Sequence, residues 1–129
     1  MGAVIEESPK VVELKHSGEV FGTVYEITSR VLGAEGAGIA SITLTGPDIV
    51  HVHKRTEETY VWESGLGKIL LGDDIFDFGP GAKVIIPPGT PHALKPAYSF
   101  PQVVFLCISA PPFTPKDVYA DPRGRGRNW

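Results

Sequence analysis

Cysteine is almost absent from this chain: Cys107 stands alone among 129 residues. No internal disulfide framework can hold the fold together, as fits a reducing compartment. An excess of basic charge is also lacking. Twelve Lys and Arg face 15 Asp and Glu, for a net charge of -3, which gives no reason to expect nucleic acid or an anionic membrane as a partner. There is no long apolar run, so no membrane span is expected, and the acidic opening segment Met1 to Glu7 predicts no signal peptide. The expected location is cytoplasmic. Helical periodicity is missing too. Apolar residues do not recur at helical spacing over any long window, so no helix is predicted.

Glycine and proline are plentiful, at 15 and 12, and lie scattered among short apolar runs as turn residues do. A hydrophobic fraction of 42% and a charged fraction of 21% are ordinary for a globular domain. The length suits one domain over 1–129, with a barrel core over about 10–110 and a Pro/Arg-rich tail over 111–129. The β-rich runs are Val11 to Leu14, Val20 to Leu32, Ile39 to Leu44, Ile49 to His53, Glu58 to Glu63, Lys68 to Leu71, Ile75 to Phe78, Lys83 to Ile86 and Gln102 to Ser109. Many short strands with regular turn signals predict an all-β sandwich or barrel. The tail carries Pro111, Pro112, Pro115 and Pro122, then Arg123, Arg125 and Arg127 between glycines. It reads as a mobile or surface-draped segment, or as an arm contacting a second subunit. Its arginines read as solvated charges or as an anion site.

Only four histidines occur, and three fall into one spaced pattern: His51, His53 and His92. Strand side chains alternate, so His51 and His53 point to the same face. The next strand gives Glu58, Tyr60 and Trp62 a common face and leaves Glu57 toward the solvent or the turn. His92 follows Pro87-Pro88-Gly89-Thr90-Pro91, whose three prolines restrict the backbone and hold the residue they deliver. Three neutral imidazoles and one carboxylate suit one divalent transition metal: Fe, Mn, Ni, Zn or Cu. The alternative for the His51–His53 pair is two polar residues on a half-exposed strand.

The run Gly46-Pro47-Asp48-Ile49-Val50-His51-Val52-His53-Lys54-Arg55-Thr56-Glu57-Glu58, continuing to Gly65, resembles the first motif of the cupin superfamily, G-x5-H-x-H-x3,4-E-x6-G. The spacing from Glu58 to Gly65 fits its E-x6-G. The run Gly81 to His92 resembles the second motif, G-x5-P-x-G-x2-H-x3-N. Gly46 lies one residue too close to His51, and Pro96 stands where the family often has Asn; neither position is a metal ligand. The resemblance implies a double-stranded β-helix, a small barrel with a metal inside near one mouth, held by His51, His53, Glu58 and His92. It also implies a homodimer, often formed through N-terminal strands.

Tyr60 and Trp62 read either as barrel filling or as residues that orient a substrate, and Tyr60 can donate a hydrogen bond or proton. Tyr60 is therefore the candidate catalytic residue. Cys107, inside an apolar run, reads as a small hydrophobe, and His16 as a surface residue. Arg30, Lys54 and Arg55 read as solvated charges able to pair with a carboxylate substrate if they lie near the mouth. The expected function is that of a small metalloenzyme acting on a small organic substrate, of dioxygenase, isomerase or lyase/decarboxylase type. The alternative is a binding module of the same fold that holds a small molecule without turnover.

Overall fold

Along Val103–Ala110 every second residue, Val103, Phe105, Cys107 and Ser109, is buried, and the residues between are half-buried. That period of two is what a strand facing a barrel interior requires. A computed structural model describes residues 10–28, 36–98 and 100–129. Its strands are β1 (Lys10–His16), β2 (Glu19–Thr28), β3 (Gly38–Leu44), β4 (His51–Val52), β5 (Glu57–Ser64), β6 (Gly67–Leu71), β7 (Asp74–Phe78), β8 (Lys83–Ile86), β9 (His92–Pro96), β10 (Val103–Ala110) and β11 (Tyr119–Ala120). One sheet runs β1-β2-β3-β10-β5-β8 and the other β11-β4-β9-β6-β7. The pairings are antiparallel. This is the all-β double-stranded β-helix expected from the motifs.

Two boundaries differ from the sequence reading. The run from Val20 is a strand as far as Thr28, and residues 29–32, Arg30 included, lie outside the described residues. The run Ile49 to His53 enters a ladder only at His51 and Val52. Its flanks pair with loops instead: Val50 N–H donates to Gly126 O at 2.8 Å, and Gly89 N–H donates to His53 O at 2.7 Å. The only helical element among the described residues is a 3-10 turn at Pro115–Asp117.

Large side chains fill one end of the interior. Trp62 stacks on Phe105 with ring centroids 6.0 Å apart and meets Phe78 edge-on at 4.6 Å. Leu44, Ile69, Leu94 and Val103 complete this core. Gly65 closes the turn beneath it at φ +83, where a Cβ would come within 2.4 Å of Gln102 O, so only glycine fits. Toward the other end the inward residues of β3 and β10 shrink to Gly38, Ala40, Cys107 and Ser109, leaving a cavity of about 510 Å³.

The tail drapes over the surface and is tied down along its length. Arg125 grips the buried carboxylate of Asp121 at 2.7 and 3.0 Å and donates to Gly72 O. Arg127 donates to Pro47 O and Glu19, and Arg123 lies 3.0 Å from Asp73. Trp129 packs on Val50, Leu70 and Ala93 and donates its indole N–H to Asp48 O at 3.0 Å. Arg125 and Arg127 are half-buried and paired with carboxylates, which corrects the reading of these two as solvated charges or an anion site, whereas Arg123 is exposed beside the exposed Asp73 and stays a solvated charge. The hydrogen bonds from Arg125 hold the Asp121 carboxyl below its ordinary value of 3.8. For Asp117, burial opposes ionisation, but the N–H groups of Arg55, Lys54 and Thr56 outweigh it and lower that carboxyl too. Both groups ionise more readily folded than unfolded. Their stabilisation is therefore complete above about pH 5 and is lost as pH falls through about 4 toward the folded values. Acid is expected to release the tail first, read as increased acrylamide quenching of tryptophan fluorescence below about pH 4 before the β-sheet circular dichroism signal falls.

Candidate metal centre

The two sheets contribute unequal halves of one site. β4 and β9 are neighbours, and His51 and His92 face each other in register with ring centroids 4.4 Å apart. His53, two residues on from His51, turns to the same side at 4.9 Å, while Val50 and Val52, which flank His51, are buried. Across the interior, Glu58 on β5 points at the imidazoles, and the exposed Glu57 points away. The ligand atoms of His51, His53, Glu58 and His92 all lie within 4.8 Å of one another, a cluster that can hold a metal ion. The four candidate residues read from the sequence come together.

The loops fix which nitrogen faces inward. His51 Nδ1 donates to Ile49 O at 2.7 Å, His53 Nδ1 to Asp117 O at 2.9 Å and His92 Nδ1 to Thr90 O at 2.8 Å. With each Nδ1–H engaged by a backbone carbonyl, Nε2 is the nitrogen turned toward the cluster, and it can ligate a metal once the proton that His53 and His92 share with Glu58 is given up. The Pro-rich turn before His92 is held by Gly89, at φ +87, through its bond to His53 O. One ligand loop thereby buttresses another.

The donor set, three imidazoles and one carboxylate, suits a divalent transition metal. Glu58 Oε1 stands 2.9 Å from both His53 Nε2 and His92 Nε2. Burial disfavours the Glu58 carboxylate, but hydrogen bonds from His53 and His92 outweigh it and hold the carboxyl well below its usual range. His53 is raised, since the hydrogen bond and charge of Glu58 overcome the opposing effect of burial. His51 is lowered to about 4, first by burial and then by the neighbouring His92.

Sequence reasoning missed three contributors. Cys107 donates its S–H to Glu58 Oε2 at 3.0 Å, beside the Tyr60 hydroxyl that donates to Oε1 at 3.3 Å. Burial and the Glu58 charge push both these groups well up, so they stay protonated donors. The alternation of Val103, Phe105, Cys107 and Ser109 was the signal that Cys107 faces inward. Asp48 lines the cavity next to His51, and burial, partly offset by His92, pushes it up to about 7. The 3.9 Å approach of Asp48 to His51 Nδ1 is a weak contact rather than an ion pair, because the imidazole is held neutral and donates to Ile49 O instead. Asp117 is the third: its carboxylate accepts from the N–H groups of Lys54, Arg55 and Thr56, and its carbonyl holds His53.

No protein-family model matches the chain. Over 78 residues it is 31% identical to the uncharacterized protein MJ1618 of Methanocaldococcus jannaschii; the match takes in 60% of this chain and 62% of that protein. The architecture is similar to that of Pac13 from Streptomyces, described as a unique nucleoside dehydratase, with a TM-score of 0.71 and 16% identity over 94% of each chain. It is similar to the polyketide cyclase RemF from Streptomyces resistomycificus, at 0.72 and 21% identity over 93% of this chain and 84% of that one. It is also similar to an uncharacterized protein with a double-stranded β-helix domain from Klebsiella pneumoniae, at 0.63 and 17% identity over 78% of this chain and 84% of that one. The chain has the double-stranded β-helix fold. No helix among the described residues is long and apolar enough to cross a membrane.

Proposed function

We propose that His51, His53, Glu58 and His92 hold one divalent transition metal, and that the protein is a small metalloenzyme acting on a small organic substrate in the barrel cavity. The observation that carries this reading is the preset of the site: three imidazoles with Nδ1–H tied to backbone carbonyls, converging with a carboxylate on the wall of a cavity of about 510 Å³. Bound there, the metal supplies Lewis-acid polarisation of a substrate oxygen, or dioxygenase chemistry with iron. Isomerase or lyase chemistry is the better supported of these, because protic groups surround the cluster and the similar folds include a dehydratase and a cyclase. Tyr60 lines the cavity and orients the substrate or gives it a proton, and its bond to Glu58 also steadies that ligand.

One observation favours the second reading, a binding module: the Tyr60 O–H and the Cys107 S–H are both spent on Glu58. The deciding experiment loads the protein with each of the five metals and follows small hydroxy and keto compounds by NMR. Metal-dependent turnover that is lost in Glu58→Ala supports the enzyme; saturable binding without turnover supports the module.

The partner expected besides the substrate is a second copy of the chain. On the outer face of the β1–β2 hairpin, Val11 is 55%, Tyr25 40% and Ile27 43% exposed, with Val11 and Tyr25 paired in register. β1 is also a sheet edge. Such an apolar strip marks an association surface. Light scattering is expected to give twice the monomer mass at micromolar concentration; a monomer throughout that range rules the dimer out.

A further inference from the structure

The cavity has a second polar end that the metal cluster does not use. Across the inner face of the larger sheet, Tyr60, Cys107, Ala40 and Glu26 are register partners on successive strands β5, β10, β3 and β2. Three steps of about 4.8 Å put Glu26 about 14 Å along the sheet from Tyr60. Between them stand Ala40 and Cys107, too small to fill the space, and beside them runs the apolar row Phe105, Ile42 and Val24. The cavity is therefore a slot with the Glu58–histidine cluster at one end, an apolar middle, and Glu26 at the other end.

Glu26 is half-buried, and its Oε2 is shielded from solvent with no hydrogen-bond partner among the described residues. A buried acceptor without a donor is destabilising and stands out in a folded protein. The cations nearest in the fold do not meet it. Lys10, its register partner on β1, is exposed and is in no ion pair among the described residues, and Lys15 lies by Glu13 at 4.0 Å. The side chains with formal charge that line the slot are Glu13, Glu26, Asp48 and Glu58 against Lys15 alone.

We propose that Glu26 is the second anchor of this slot. It accepts a hydrogen bond from a hydroxyl or ammonium group at one end of an elongated ligand whose other end carries the oxygen that meets the metal cluster. The substrate class is thus a short chain with an oxygen-donor head, an apolar middle and a donor tail. This rests on the metal reading above for the head group alone.

The test uses caproate, ω-hydroxycaproate and ω-aminocaproate, titrated by calorimetry into the wild-type protein with and without metal, and into Glu26→Ala and Glu26→Gln. In the wild type, one or both tail-bearing probes are expected to bind about tenfold or more tighter than caproate, the factor that one hydrogen bond to a charged group confers. In Glu26→Ala that preference falls to about one, with metal content unchanged and the melting temperature not lowered, because the unpaired oxygen is gone. Glu26→Gln, which keeps an acceptor but not the charge, retains preference for the hydroxyl and loses preference for the amine. The proposal is overturned if the wild type does not discriminate, if it binds no probe at millimolar concentration, or if Glu26→Ala discriminates as before. Failure of the metal reading shows separately, as caproate affinity that is the same with and without metal.

Discussion

The double substitution His51→Ala and His53→Ala is expected to abolish metal uptake and leave a folded barrel. It removes two of the four clustered donors, and the remaining pair, Glu58 and His92, is too few to hold a divalent ion at four sites. Disturbing only the groups that orient a metal ligand costs 10- to 100-fold in affinity, so losing two ligands outright is expected to cost well over 100-fold. The fold has little to lose by comparison. The core of Phe21, Leu44, Trp62, Ile69, Leu94 and Phe105 lies outside the cluster, and domains that unfold without their metal are usually much smaller than this one. The cost should stay near 1–2 kcal/mol, chiefly from the lost His53 bonds to Glu58 and Asp117 O. Unchanged β-sheet circular dichroism with no bound metal is the expected result; loss of that signal would make the cluster a structural necessity.

Asp117→Ala is expected to have the largest effect on stability among single changes. Asp117 is 4% exposed, and its carboxylate accepts at 3.0 to 3.2 Å from the N–H groups of Lys54, Arg55 and Thr56. Alanine leaves those donors facing an apolar methyl. Thr56 is buried and cannot turn to water, whereas Lys54 and Arg55 are exposed and partly can. The expected cost is about 3 kcal/mol, or roughly 10 °C in melting temperature. The same turn follows His53, whose Nδ1 is held by Asp117 O, so metal affinity should fall about 10- to 100-fold alongside. Asp117→Asn keeps one acceptor oxygen and should fall between. Differential scanning calorimetry with a competing chelator reads both quantities. A melting temperature lowered with metal affinity untouched would separate the turn from the site.

What the sequence made legible was local. The spacing of His51 and His53, the common face of Glu58, Tyr60 and Trp62, and the Pro-rich approach to His92 all follow from alternation along a strand and the stiffness of proline. The four residues these local features single out lie together in the structure. What it hid depends on register between distant strands. Nothing near Cys107 announces that its partner on β5 is Tyr60 or that its thiol reaches Glu58. Asp117 lies 64 residues from the His53 it holds. Arg127 read as solvated because its carboxylate, Glu19, is far away in sequence. β4 shrank to two residues because Val50 and His53 bond to loops that only the folded chain brings near.

The central claim is that one metal sits among three Nε2 atoms and Glu58. X-ray absorption at the metal edge of the loaded protein, with the metal quantified per chain, tests it most directly. The account predicts one metal per chain and a first shell in which three imidazoles and a carboxylate oxygen lie at about 2.0–2.2 Å, with one imidazole fewer in His92→Ala. A shell of water oxygens alone, or a spectrum that His92→Ala leaves unchanged, would contradict it.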